Sequence, residues 1–142
     1  MRVVIGCDHA GLRLKATLAE RLVALGHEVV DVGTHGESSV DYPDFARQAA
    51  ELIASGHADR GVLVCGTGQG MAIAANKVPG VRAACVSDPF SARMIVEHND
   101  AQIVTFGQRV TGEGVALLCL DAWLDARFAG GRHVARVEKI GR

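Results

Sequence analysis

Cys65 stands where an apolar run gives way to three glycines, in the segment GVLVCGTGQG from Gly61 to Gly70. A thiol placed there meets bare backbone N–H groups at the start of the following, Ala-rich segment. Amides at a helix start lower a thiol pKa and hold anionic oxygens, so the pattern suits chemistry on an anion. A purely structural cysteine would more often sit within a strand than at its exit. The glycines Gly66, Gly68 and Gly70 lack the dinucleotide spacing GxGxxG, and the chain has no GxxxxGK(S/T) loop. The usual nucleotide cradles are therefore not indicated.

Four further groups carry polar chemistry. Asp8 and His9, in GCDHAG, could orient a sugar hydroxyl or contact a phosphate, although Asp8 could equally just cap the next helix. His98 and Asn99 occupy a polar turn, Glu97 to Asp100, where a histidine is either solvent-facing or a proton carrier. Arg132 and Arg136, four apart, share a helix face that is either a phosphate grip or a solvated basic surface. Arg109 is a further candidate. Together these suggest a phosphorylated, hydroxyl-rich substrate met by a thiol base and no metal. A thiolate can accept a proton beside a carbonyl, and the turn amides would stabilise the oxyanion that forms. Cys7, Cys85 and Cys119 show no CxxC or zinc spacing and read as core filler. With no second cysteine close to Cys65 in sequence, a thiol redox protein is remote. His27, His35 and His57 read as surface or turn residues.

The elements that must position these groups alternate along the chain. Strands are expected at Arg2–Gly6, Glu28–Val32, Gly61–Cys65, Arg82–Val86 and Ala101–Phe106. Between and after them lie helices at about Gly11–Leu25, Tyr42–Ser55, Met71–Asn76, Pro89–Glu97 and Gly112–Arg127. The first carries a stripe of Leu14, Leu18, Leu22 and Leu25 and ends at Gly26. Repeated βα units without hairpin signals make a five-stranded parallel sheet covered by helices on both faces, an α/β fold. Ligands of such sheets bind beyond the carboxyl ends of the strands. That rule selects Cys7, Asp8, His9, Gly33, the Cys65 turn, Ser87, Asp88 and Gly107–Arg109.

Bulk composition narrows the class. The chain has 142 residues, 49% of them hydrophobic, and a formal charge of −1, which suits one domain with a real core. There is no clustered basic excess of the kind nucleic acid requires, and no apolar run of transmembrane length. A cytoplasmic protein that meets neither nucleic acid nor membrane is expected. Arginines outnumber lysines twelve to three; this fits compositional bias but also supplies planar forks for phosphate.

Seven segments, in order, resemble the ribose-5-phosphate isomerase type B family, within the sugar-phosphate isomerases that include galactose-6-phosphate isomerase. They are GCDHAG (Gly6–Gly11), DYPDFA (Asp41–Ala46), CGTGQG (Cys65–Gly70), IAANKVPGVRAA (Ile73–Ala84), HND (His98–Asp100), FGQRVTG (Phe106–Gly112) and GGRHVARV (Gly130–Val137). The resemblance implies a single-domain, Rossmann-like three-layer α/β/α sandwich that forms a homodimer, or a tetramer, with each site built from both subunits. It implies that ribose 5-phosphate and ribulose 5-phosphate interconvert through a cis-enediolate, with no cofactor and no metal. By the same resemblance Cys65 is the base, and Thr67 with the amides of Gly66, Gly68, Gln69 and Gly70 forms the anion hole. His98 would open the furanose ring. Asp8, Tyr42 and Asn99 would address ring oxygens and hydroxyls, and His9, Arg109, Arg132 and Arg136 would bind the phosphate. The segment at about 130–142 would pack on the partner subunit. One branch of the family has a glutamate where this chain has Met71, which puts the chain with the cysteine-base branch. Gln69 replaces a small apolar residue and bears on substrate preference. Alternatives are the same chemistry on allose 6-phosphate, galactose 6-phosphate or a tetrulose 4-phosphate, or a non-catalytic sugar-phosphate-binding module.

Overall fold

Five apolar runs form strands, and six helices lie between and after them, in the computed structural model, which describes residues 1–141. In chain order they are β1 (Arg2–Cys7), α1 (Leu12–Ala24), β2 (Glu28–Asp31), α2 (Tyr42–Ala54), β3 (Arg60–Cys65), α3 (Gln69–Ala75), β4 (Ala83–Cys85), α4 (Pro89–Glu97), β5 (Ile103–Gly107), α5 (Glu113–Asp125) and α6 (Arg132–Ile140). Every strand pairing is parallel, and the order across the sheet is β2-β1-β3-β5-β4. The expected α/β fold, a helix–sheet–helix sandwich, is present. Arg142, the end of the segment expected at about 130–142, lies outside the described residues.

Alternation along each strand sorts side chains between two cores. Val3, Ile5, Val62, Val64, Val104 and Phe106 face α1, α4 and α5, where Leu18, Leu22, Leu120 and Trp123 are fully buried. Val4, Leu63, Cys65 and Ile103 face the other side, packed on Ala46, Ala49 and Ala50 of α2 and on Met71 and Ala75 of α3. Small alanines on α2 let that helix approach the sheet closely. Each large apolar side chain taken fully out of water contributes about 1.5–3 kcal/mol, which offsets the chain entropy lost on folding.

The element bounds differ from the sequence expectations mainly by one or two residues at the ends, as terminal hydrogen bonds fray. Two differences matter more. Leu25 is not part of the α1 stripe: the helix stops at Ala24, and Leu25 caps it, 44% exposed. Cys85 is not core filler: it is half-buried at the end of β4. Cys7 and Cys119 are buried as expected.

The sheet order creates a switch point. β2 lies on one side of β1 and β3 on the other, so the connections leaving β1 and β3 diverge and open a crevice beyond their carboxyl ends. Asp8 and His9 follow β1, and Cys65 closes β3. The sheet thus delivers two of the chemical segments to one place.

Candidate active site

Cys65 is 5% exposed and opposite Gly107, the last residue of β5. The chain turns immediately after it. Gly68 takes the left-handed conformation, φ +81°, and its N–H donates to the Cys65 sulfur at 3.1 Å. A side chain there is doubly excluded: a Cβ would lie 2.8 Å from the Phe106 carbonyl carbon and 2.8 Å from Cys85 Sγ. α3 then starts at Gln69. The turn is tied to the exits of its neighbours, since Gln108 N donates to Cys65 O at 2.9 Å and Arg109 N to Gly66 O at 3.1 Å.

Other expected residues gather around this turn. A Cβ on Gly66 would lie 3.3 Å from Arg109 Nη1, so the guanidinium lies against the glycine turn. The Tyr42 ring lies across Gly70, where a Cβ would come within 2.6 Å of Tyr42 Cε2. Asp8 is 7% exposed, and its N–H donates to Val64 O at 3.2 Å. Its carboxylate does not cap α1, whose N-cap is Gly11 with no side-chain cap bond; instead Asp8 Oδ1 accepts from Ala10 N at 2.9 Å. His9 Nδ1 accepts from Val40 N at 3.2 Å, which leaves Nε2 as the protonated nitrogen. Thr67 and Gln69 are exposed, with Gln69 N 3.4 Å from Thr67 Oγ1. A hollow of about 400 Å³ adjoins Arg109 and is also lined by Arg13, Gln108 and Glu113. Met71 is fully buried among the apolar residues of α2 and β3.

The remaining candidates form a second group. His98 caps the carboxyl end of α4, and its ring stacks on that of His133, centroids 4.3 Å apart and 11° from parallel. Arg132 and Arg136 are exposed on α6, the helix that carries His133. Asn99 is exposed, and its carbonyl accepts from Arg82 Nε at 2.9 Å. Burial lowers the His133 pKa from its ordinary 6.5, helped by the charges of His98, Arg132 and Arg136. The expected phosphate ligands are thus divided between the groups, His9 and Arg109 in one, Arg132 and Arg136 in the other. α4 runs antiparallel to the strands it connects, so His98 lies at the amino end of the sheet. Cys65 lies at its carboxyl end, about 13 Å of strand away along β5. A hollow of about 620 Å³ beside β4 is lined by Asn99, Arg82 and Ile140 and not by Cys65.

Three residues near these groups were given no functional role from sequence. Thr105 and Cys85 back the glycine turn: Thr105 Oγ1 donates to Gly68 O at 2.7 Å and Cys85 Sγ to Thr67 O at 3.5 Å. His133 is the third; its place next to Arg132 in GGRHVARV was the available signal. Burial pushes the Cys7 and Cys119 thiols up to about 11 and also raises Cys85, so these three stay protonated at neutral pH. Among the described residues no three of His, Cys, Asp and Glu converge as a metal-binding group, and no helix is long and apolar enough to cross a membrane.

A thiol at a switch point, an amide on its sulfur and an arginine beside the turn make an arrangement in an α/β fold that could serve proton transfer on a small anionic ligand. The chain belongs to the Ribose/Galactose Isomerase family, whose model matches residues 3–140. It is 47% identical over 139 residues to ribose-5-phosphate isomerase B of Escherichia coli, covering 98% of this chain and 93% of the relative. Its fold is similar to that of Clostridium thermocellum ribose-5-phosphate isomerase B, with TM-score 0.98 and 55% identity over 99% of this chain and 95% of that one. It is also 43% identical over 143 residues to D-erythrulose-4-phosphate isomerase of Pectobacterium atrosepticum, covering 99% of this chain and 93% of the relative.

Proposed function

We propose that this protein interconverts ribose 5-phosphate and ribulose 5-phosphate through a cis-enediolate, with Cys65 as the base. The observation that carries the reading is the Gly68 N–H aimed at the Cys65 sulfur at 3.1 Å. That contact fixes the sulfur beside the turn amides that would hold the oxygens of the intermediate. The thiolate removes the proton on C2 of the open-chain aldose, and the electron pair flows to the C1 carbonyl oxygen. Returning the proton to C1, while the O2 hydroxyl proton passes to O1, produces the ketose. Thr67 and the turn amides stabilise the intermediate oxygens, a role that typically contributes about 2.7–4 kcal/mol per donor removed. Asp8 and Tyr42 hold hydroxyls, while His9 and Arg109 hold the phosphate. The buried Met71 leaves no carboxylate at the position where the family's other branch carries its base.

The separation of the two groups favours a homodimer whose sites are shared. His98 of the partner subunit would donate to the ring oxygen as the furanose opens. Asn99 and the arginines of the partner's α6 would complete the grip on hydroxyls and phosphate. The α6 side chains that face their own chain, His133 and Val137, are buried, which leaves Arg132 and Arg136 exposed for such a role.

A second reading is the same proton transfer on another sugar phosphate, favoured by the similarity to the erythrulose-phosphate enzyme. Comparing kcat/KM on ribose, allose, galactose and erythrulose phosphates separates the two. The ribose phosphate should be preferred by tenfold or more, on the order of 1.4 kcal/mol in transition-state binding. A larger value for any other sugar would replace it.

A further inference from the structure

Thr105 is the single polar side chain of β5, fully buried between Val104 and Phe106. The fold does not demand its hydroxyl there. Valine has the same shape and suits a central strand at least as well. Nor is the hydroxyl required to satisfy the Gly68 carbonyl, which already accepts from Ala72 N at 3.2 Å as the first bond of α3. A buried hydroxyl is costly to desolvate, so one spent on an already bonded carbonyl calls for another role.

The geometry of the turn supplies that role. In a trans peptide the C=O and the N–H of one unit point in opposite directions. The Thr67–Gly68 unit has its carbonyl held from behind by Cys85 Sγ at 3.5 Å, and its N–H then points forward to Cys65 Sγ at 3.1 Å. The Gly68–Gln69 unit has its carbonyl held by Thr105 Oγ1 at 2.7 Å, which turns the Gln69 N–H away from the sheet to the exposed Thr67, whose Oγ1 accepts from it at 3.4 Å. Register places the two holders together: Cys85 is opposite Thr105, and Thr105 is opposite Leu63, two residues before Cys65 on the same face. Burial raises the Cys85 thiol pKa, with the Thr105 hydroxyl opposing the shift, and a protonated thiol is what a donor to Thr67 O must be.

We propose that Thr105, assisted by Cys85, is a positioning residue of this site: it clamps two successive peptide units so that one N–H faces the Cys65 sulfur and the next faces the Thr67 side of the turn, where an anionic substrate oxygen would take over that donor from the Thr67 hydroxyl. The inference rests on the reading of Cys65 as the base. Without the clamp Gly68, free to rotate as glycine is, samples other peptide orientations and the donors are no longer preorganised.

The test pairs Thr105→Val with Thr105→Ser and reads two quantities. The first is the rate at which iodoacetamide alkylates Cys65 at one fixed pH, followed by mass spectrometry of its peptide. The second is the pair kcat and KM on ribose 5-phosphate. Thr105→Val should slow alkylation about threefold to tenfold and lower kcat about tenfold, with KM within about twofold. Thr105→Ser should restore both, which a change in packing would not do, since serine is the smaller side chain. Alkylation and kcat within twofold of the parent in Thr105→Val, or equal losses in Thr105→Ser, would overturn the proposal. Should Thr105→Val fail to fold, Cys85→Ala at the half-buried position reads the same clamp. It should slow Cys65 alkylation, and an unchanged rate would overturn the proposal. Alkylation needs no sugar, so a parent protein that turns over no ribose 5-phosphate refutes the proposed function and leaves the clamp to be judged on the thiol.

Discussion

Cys65 and His98 lie at opposite ends of one sheet, the first beside the last residue of β5 and the second before its first. On the proposed reading the two reach one sugar only when they come from different subunits. In a two-fold dimer the same surface meets itself, so one protomer's carboxyl end can receive the partner's amino end. Mixing inactive Cys65→Ala with inactive His98→Ala after unfolding and refolding should then regenerate activity. Random pairing makes half the dimers mixed, each with one intact site of two, so recovery should approach about a quarter of the parent activity. No recovery would place both groups on one chain.

Arg136 is exposed on α6, one helical turn beyond Arg132. As a phosphate ligand it binds ground state and transition state alike. Arg136→Ala should raise KM for ribose 5-phosphate about tenfold or more and leave kcat nearly unchanged. Steady-state kinetics with an unaltered KM would return Arg136 to the role of a solvated surface charge.

Gly68 and Gly70 should respond differently to alanine. At Gly68 the new Cβ meets β5 backbone in a left-handed conformation, and neither can yield. At Gly70 it meets the Tyr42 ring, and Tyr42 is 40% exposed and can swing outward. Gly68→Ala should lower stability by about 1–3 kcal/mol, visible as a reduced Tm. Gly70→Ala should largely keep Tm while losing activity through a displaced Tyr42. Equal effects on Tm would contradict this assignment.

The His98–His133 stack gives stability a pH dependence of definite sign. Burial first, then His98 and the two arginines, lowers the His133 pKa from 6.5 in the folded protein. The unfolded chain therefore takes up the proton first as pH falls. The stack's full contribution is present above pH 6.5 and is lost on acidification through the lowered folded value. The parent Tm should drop more between pH 7.5 and pH 5.5 than that of His133→Gln. Parallel pH profiles would exclude His133 as the source.

Much of this arrangement was legible in the residues. α4 could be read at its true ends because Asp88 caps it, accepting from Ser91 N at 2.7 Å, and Pro89 starts it. The glycine turn announced itself by the break in the apolar run after Cys65. What local pattern does not contain is strand order. β5 inserts between β3 and β4, and only that insertion brings Thr105 and Cys85 behind Gly68. In sequence Thr105 is one more β-branched strand residue and Cys85 one more apolar one. Leu25 misled for the opposite reason: helical spacing continued past the point where Gly26 lets the chain turn, φ +83°.

Cys65 as the proton-transferring base is most directly tested by following ribose 5-phosphate with the purified parent protein and with Cys65→Ala, using proton NMR. The parent should form ribulose 5-phosphate. Cys65→Ala should lose about 10³-fold or more in kcat while keeping its Tm and its affinity for a phosphate-bearing substrate analogue. Turnover by Cys65→Ala within tenfold of the parent, or none by the parent itself, would contradict the account.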